Sequence, residues 1–339
     1  MDKYLRLFID SGMKSLNISS LYSGGLITNY YCTSQCRHCL YGCSPLWPKK
    51  YITNDRAKKN FRLIKSLDCH SIHIGGGEPF LNTDALEKVL LAAREEKMEI
   101  EYVETNSSWF KDRESAVALL RKLSKSGLGT LLISMSPFHN EHIPFSKVKG
   151  VLAACRESGL RVFPWIQEFY PELGSFDENK KHSLNEYKEK FGDDYIKRIP
   201  ARYWVHCGGR AIQTYKEIYP LKPTIEIIST SIGCSELADT SHFHADLFGN
   251  YIPGLCSGLS IKLEDLGKPL NPYEYPFITK LYNRGIKALA DYAATEFKFR
   301  IKEEYLNKCH LCFDIRKYLV KEKGIKSKEL EPSEYYDNV

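Results

Sequence analysis

Tyr31-Cys32-Thr33-Ser34-Gln35-Cys36-Arg37-His38-Cys39 sets three thiols at x3 and x2 spacing, directly after the apolar run 26–31. Three cysteines this close in one loop can converge on a single metal centre, because thiolates are preferred ligands of iron–sulfur clusters and of zinc. A cubane cluster normally takes four cysteines. Three leave one iron open, and an open position is what chemistry at a metal needs. Cys43 adds a second trio, Cys36, Cys39 and Cys43, but the first follows the strand directly. A zinc knuckle, or thiols packed in a loop, is the plain alternative.

Outward from this loop, short apolar runs alternate with amphipathic segments. Residues 26–31, 71–74, 100–105, 130–135 and 160–166 read as strands, rich in β-branched and aromatic residues and mostly closed by Gly, Asn, Ser or Pro. Thr83 is placed to cap a helix burying Leu86, Val89, Leu90 and Ala93. Asp112 is placed to cap another that stops near Gly127, and a third carries Val148, Val151, Leu152 and Cys155 before Gly159. From the second strand on, starts fall roughly 30 residues apart, the length of a strand plus a crossover helix. With a sixth strand over 202–207, the rhythm predicts an α/β fold with a partial (β/α)6 TIM-type barrel. A doubly wound open sheet is the runner-up. Past Arg210 the rhythm changes to a β-hairpin over 243–252 turning at Phe248-Gly249-Asn250, a long helical stretch over 276–307, and Cys309-His310-Leu311-Cys312. The resulting division is an N-terminal extension (1–25), a barrel (26–212), a small C-terminal domain (213–320) and a charged tail (321–339) expected to fray.

Composition narrows the function classes. Of 339 residues, 43% are hydrophobic and 27% charged, which is globular and not disordered. Forty-eight Lys and Arg against 42 Asp and Glu leave +6, spread along the chain. Nucleic-acid binding needs a concentrated basic face with interleaved aromatics, whereas the 22 Tyr and 16 Phe are dispersed. No apolar run reaches the roughly 18 residues of a membrane span, and the opening MDKYLRLFIDSGMKSL lacks a signal-peptide core. Eleven cysteines, an odd count, argue against a disulfide framework and fit a reducing, cytoplasmic setting.

The motif after the first strand resembles that of the radical S-adenosylmethionine (SAM) enzymes, with His38 where the family usually has an aromatic residue. The resemblance covers roughly residues 26–210. Ile74-Gly75-Gly76-Gly77-Glu78-Pro79 ends the second strand and is similar to the family's GGEP motif, which contacts the SAM amino group. Glycine there lets the backbone approach a ligand, and Glu78 offers an acceptor for an ammonium. Glu104-Thr105-Asn106-Ser107 ends the third strand like the family's Thr-Asn pair. Ser134-Met135-Ser136 ends the fourth, with Ser136 in place of a family acid that reaches the SAM ribose or carboxylate. In a parallel barrel all these ends open on one face. The resemblance therefore implies cofactor contacts at Gly76, Gly77, Glu78, Pro79, Thr105, Asn106, Ser134 and Ser136. It also implies a [4Fe-4S] cluster on Cys32, Cys36 and Cys39, with SAM on the open iron. Reductive cleavage of SAM to a 5′-deoxyadenosyl radical and abstraction of a substrate hydrogen atom would follow. His139, His142 and Glu168 lie near the mouth of this cleft and are assigned no catalytic role.

Cys234, Cys256, Cys309 and Cys312 resemble the SPASM or twitch extensions of that family. The spacing differs, with x6 between the hairpin glycine and Cys256, and the count suits one auxiliary [4Fe-4S] cluster. A structural zinc site takes four cysteines equally well. Cys155 and Cys69 read as core thiols. Cys207, in His206-Cys207-Gly208-Gly209-Arg210, is either structural or a hydrogen-atom donor of the kind found in radical SAM peptide epimerases. The implied function is peptide or protein modification, by epimerisation or cross-linking, with a reductant such as flavodoxin or ferredoxin. A small-metabolite substrate in cofactor synthesis is the alternative within the family, and a zinc-binding non-catalytic protein the alternative outside it.

Overall fold

The computed structural model describes residues 13–203 and 205–339. Residues 1–12 of the expected N-terminal extension, and Trp204 of the expected sixth strand, lie outside that set.

The central sheet has eight strands in the order β5-β4-β3-β2-β1-β7-β8-β9. β1 (Gly24–Ile27), β2 (Ser71–Gly75), β3 (Glu99–Thr105), β4 (Thr130–Ile133) and β5 (Arg161–Pro164) run parallel. β6 (Lys222–Pro223) belongs to a separate two-stranded ribbon with β10 (Glu304–Tyr305). β7 (Phe243–Asp246) pairs parallel to β1, and β8 (Asn250–Ile252) and β9 (Ile261–Lys262) close the row antiparallel. The fold is therefore α/β with a mostly parallel central sheet.

Local chemistry sets the crossovers. The helix Thr83–Glu95 is capped by Asn82, one residue before the expected Thr83, whose Oδ1 accepts from the Ala85 amide at 3.1 Å. Asp112 caps Arg113–Ser126 through the Ser115 amide at 2.8 Å, and Gly127 ends it at φ 123°. Gly159, in the left-handed region, ends Phe145–Ser158. Each such cap contributes about 1 kcal/mol. Leu86, Val89 and Leu90 of one helix and Val117, Leu120 and Leu123 of the next bury against the sheet.

Three expectations fail. The described residues of 202–207 form no strand, because Arg202 ends the helix Tyr195–Arg202 and the others are irregular. The sixth parallel strand is instead β7, the first arm of the expected hairpin. Its residues Phe243 and Ala245 are fully buried and complete the sheet beside β1. The long helix stops at Phe297, bent at Gly285 (φ 68°), and a new helix, Lys308–Lys321, carries Cys309 and Cys312 in its first turn. Finally, the tail beyond Lys321 packs tightly, because Leu330, Tyr335 and Tyr336 are each no more than 2% exposed. Three apolar anchors in a charged segment were enough to dock it.

Candidate active site

The loop over 32–43 that carries the first cysteines is closed at its neck. Tyr31 and Ser44 form a parallel bridge, with the Cys32 amide donating to the Ser44 carbonyl at 3.1 Å. Arg210, 8% exposed, holds the loop from behind. Its guanidinium donates to the carbonyls of Cys36 (2.9 Å), Cys43 (2.6 Å) and Asn338 (2.9 Å). Ser44 Oγ donates to Asn338 Oδ1 at 2.5 Å. The final residues thus lock the loop to the body of the protein.

Cys32, Cys36 and Cys39 line one cavity of about 330 Å³, and Cys43 lines it too. Gly76, Gly77, Pro79, Thr105, Asn106 and Ser134 stand in the same wall, so three further strand ends meet the thiol loop. Two of the predicted contacts do not reach it. Glu78 is fully buried and turned inward, where its carboxylate accepts from the Asn106 amide (2.6 Å), the Thr105 hydroxyl (2.9 Å) and the Phe80 amide (3.1 Å). Burial pushes its pKa up to about 7, against the pull of those donors. Ser136 is also buried, and its hydroxyl pairs with His139 Nδ1 at 2.8 Å. The glycines differ from expectation in their reason. A Cβ on Gly77 would lie 2.0 Å from the Tyr31 carbonyl, and one on Gly76 (φ +148°) 2.7 Å from the Asn29 carbonyl. Close approach here is chain to chain: it seats the second strand end on the neck of the thiol loop.

The donor set fits an iron–sulfur cluster with a bound organic ligand. The Asn106 side-chain amide donates to Cys32 Sγ at 3.3 Å, and the Ser34 amide to the same sulfur at 3.4 Å. Such N–H···S contacts favour a thiolate. Burial otherwise drives the Cys32 thiol up to about 12 and Cys36 well above its ordinary range, so a cation is needed to bring out their ligating form. Ser34 Oγ and His38 Nδ1 line the cavity, are buried, and have no hydrogen-bond partner among the described residues. Orphaned polar atoms of this kind call for a group the protein itself does not supply. His38 stacks on Phe138 at 4.8 Å, and so fills the place of an aromatic ring.

A single zinc would draw sulfurs bound at 2.3 Å to within about 3.8 Å of each other. Among the described residues, the only group of three or more His, Cys, Asp or Glu whose donor atoms all lie within 4.8 Å is His73, His242 and His244. Both cysteine sets are therefore spread more widely than a one-ion site.

Cys234, Cys256, Cys309 and Cys312 line a second cavity, of about 500 Å³. Cys256 sits in the turn after β8, where its amide donates to the Pro253 carbonyl at 2.9 Å. Asn307 caps the helix that bears Cys309 and Cys312. The buried Arg316 guanidinium, held by the Ser257 carbonyl (3.0 Å) and the Tyr336 hydroxyl (3.1 Å), places positive charge beside Cys256 and Cys312. His206 and Leu255 stand in the walls of both cavities.

Cys207 lines neither cavity and packs, half-buried, against the hydrophobic core. Replacement by Ala is expected to leave product formation unchanged, as measured by single-turnover product analysis; a loss would restore the hydrogen-donor role. His139 lines the first cavity and His142 is half-buried, while Glu168 is exposed. Residues not singled out from the sequence are Tyr41, Tyr102, His206, Arg210, His242 and His244, all in the wall of the first cavity.

The strand ends of a parallel α/β sheet here bring three thiols into one cavity. Residues 26–167 match the family model described as the Radical SAM superfamily; this part of the chain is a radical SAM domain. The family implies SAM and a [4Fe-4S] cluster. No curated protein matches. Solved structures with a similar arrangement include Streptococcus suis SuiB bound to S-adenosylmethionine, at 16% identity over 70% of this chain and 61% of that one (TM-score 0.33). Another is anSMEcpe with bound AdoMet, at 13% identity over 88% and 97% (TM-score 0.43). A third is BtrN in complex with AdoMet and 2-DOIA, at 14% over 72% and 75% (TM-score 0.38). Among the described residues, no helix is long and apolar enough to cross a membrane.

Proposed function

We propose that Cys32, Cys36 and Cys39 hold a [4Fe-4S] cluster with SAM on its open iron, and that Cys234, Cys256, Cys309 and Cys312 hold an auxiliary [4Fe-4S] cluster. The first belongs to a partial barrel over 26–212 and the second to a SPASM- or twitch-like unit over 213–320. The observation that carries this reading is the meeting of three thiols with the Gly-Gly-Glu-Pro, Thr-Asn and Ser134 strand ends around one cavity. When bound, the cluster and SAM together supply one-electron cleavage of the sulfonium and a carbon radical able to take a hydrogen atom from a substrate. The chain's own part is to fix the ligands. Asn106 steadies the Cys32 sulfur, Arg210 braces the loop, and Glu78 ties the second strand end to the third. His206 and Leu255, common to both cavity walls, favour an electron-accepting role for the second site.

The substrate class supported best is a peptide or protein, modified by epimerisation or cross-linking, with a flavodoxin or ferredoxin as reductant. β5 is an edge of the sheet; Phe163 on it (40%) and Trp165 just past its end (44%) are exposed, and Trp165 lines the first cavity. An extended chain can add to such an edge and place one side chain in the cavity.

Anaerobic reconstitution tests the reading. We expect a brown protein with about eight irons per chain that yields 5′-deoxyadenosine from SAM and dithionite. The double variant Cys309→Ala/Cys312→Ala is expected to keep about four irons and still cleave SAM. Colourless, zinc-bearing protein would overturn the proposal.

A further inference from the structure

The sheet register sets His73 of β2 and His244 of β7 on either side of Gly25 of β1. A Cβ at position 25 would lie 2.2 Å from His73 Nε2. Because glycine leaves that space empty, the two imidazoles meet over the bare backbone, Nε2 to Nε2 at 3.1 Å. His242, exposed and two residues before His244 on the same face of the extended chain, completes the group. Its ring lies 5.4 Å from that of His73 and 5.0 Å from that of His244, and the His73–His244 separation is also 5.0 Å.

That triangle has the size of a metal site. Imidazoles on one tetrahedral ion at 2.0–2.1 Å put their donor nitrogens about 3.4 Å apart and their ring centres about 5.2 Å apart. One nitrogen from each of the three rings lies within 4.8 Å of the others. The Tyr41 hydroxyl, 2.7 Å from His244 Nδ1, orients that ring so that Nε2 faces the group, as outer partners of metal-bound histidines do. Glu104 Oε1 lies 3.8 Å from His73 Nε2 and brings a carboxylate beside the group.

We infer that His73, His242 and His244 form a binding site for a divalent transition metal of the zinc or nickel type, with His242 and His244 in the wall of the cavity that holds the three thiols. Imidazole donors select such ions over magnesium and calcium. Three protein nitrogens leave a position for water or another oxygen ligand. This site shares no ligand with either cysteine set, so it stands apart from the cluster assignment.

The test uses the full chain, anaerobically reconstituted with iron and sulfide and dialysed against Zn²⁺ with a weak competing chelator. We expect about one zinc per chain beyond the iron. Its X-ray absorption edge should report nitrogen or oxygen neighbours at about 2.0–2.1 Å and none of the sulfur expected at about 2.3 Å. His242→Ala, a change at an exposed position, is expected to weaken zinc retention at least tenfold (about 1.4 kcal/mol) with the iron content unchanged. Three results would each overturn the inference: no retained zinc, zinc with sulfur neighbours, or equal zinc affinity in the wild type and His242→Ala.

Discussion

Cys36→Ala is expected to reduce 5′-deoxyadenosine formation from SAM and dithionite by more than about 100-fold, beyond the 10- to 100-fold typical of changes outside the ligand shell. It should also remove about four irons per chain. Cys36 is 7% exposed and packs in the main core, so its loss also costs packing. Cys155→Ala separates the two effects. Cys155 is fully buried on the helix Phe145–Ser158 and lines neither cavity, and its thiol is likewise pushed up by burial to about 12. Removing it leaves a comparable void, costing about 1 kcal/mol, and should alter neither iron content nor SAM cleavage. Equal activity in Cys36→Ala and Cys155→Ala would remove Cys36 from the ligand set.

Arg210→Ala carries the second large effect, this time on stability. One buried guanidinium satisfies three buried carbonyls on two stretches of chain, the cysteine loop and the C-terminal segment. Each acceptor left without its charged donor costs about 1–3 kcal/mol. The bonds are not additive, and a net loss of about 3–5 kcal/mol is expected. Lysine is not expected to rescue it, because an ammonium lacks the planar fork that reaches three separated oxygens. Denaturant unfolding of the protein, followed by tyrosine and tryptophan fluorescence, reads the change. A loss below about 1 kcal/mol would show that the loop holds itself through the Tyr31–Ser44 bridge alone.

Local chemistry made much of this molecule legible in sequence. The strands β2 and β3 begin and end within a residue of expectation, because alternating β-branched runs and capping residues such as Asp112 act over a few positions. The thiol loop was legible for the same reason: its spacing is short. What the sequence concealed depends on distant partners. β7 reads as one arm of a hairpin, and nothing within it announces that β1, more than 200 residues earlier, will take it as a parallel neighbour. His73 and His244 are separated by 171 residues, and their meeting depends on a glycine in a third strand. Glu78 read as a ligand through the resemblance of its motif to GGEP and because a carboxylate can accept from an ammonium. Here Asn106, Thr105 and Phe80 turn it inward. The tail misled through composition: its charges were counted, while Tyr335 and Tyr336 decided the packing.

The placement of β7 beside β1 bears on how the molecule can be cut. A fragment ending near residue 212 would keep the thiol loop but lose the strand that covers one side of β1. Gly24 to Ile27, all buried in the intact protein, would then present a bare row of amides and carbonyls to solvent, an invitation to aggregate. Any recombinant version intended to isolate the cysteine-loop half should therefore extend at least through Ile252, or it will be recovered from inclusion bodies.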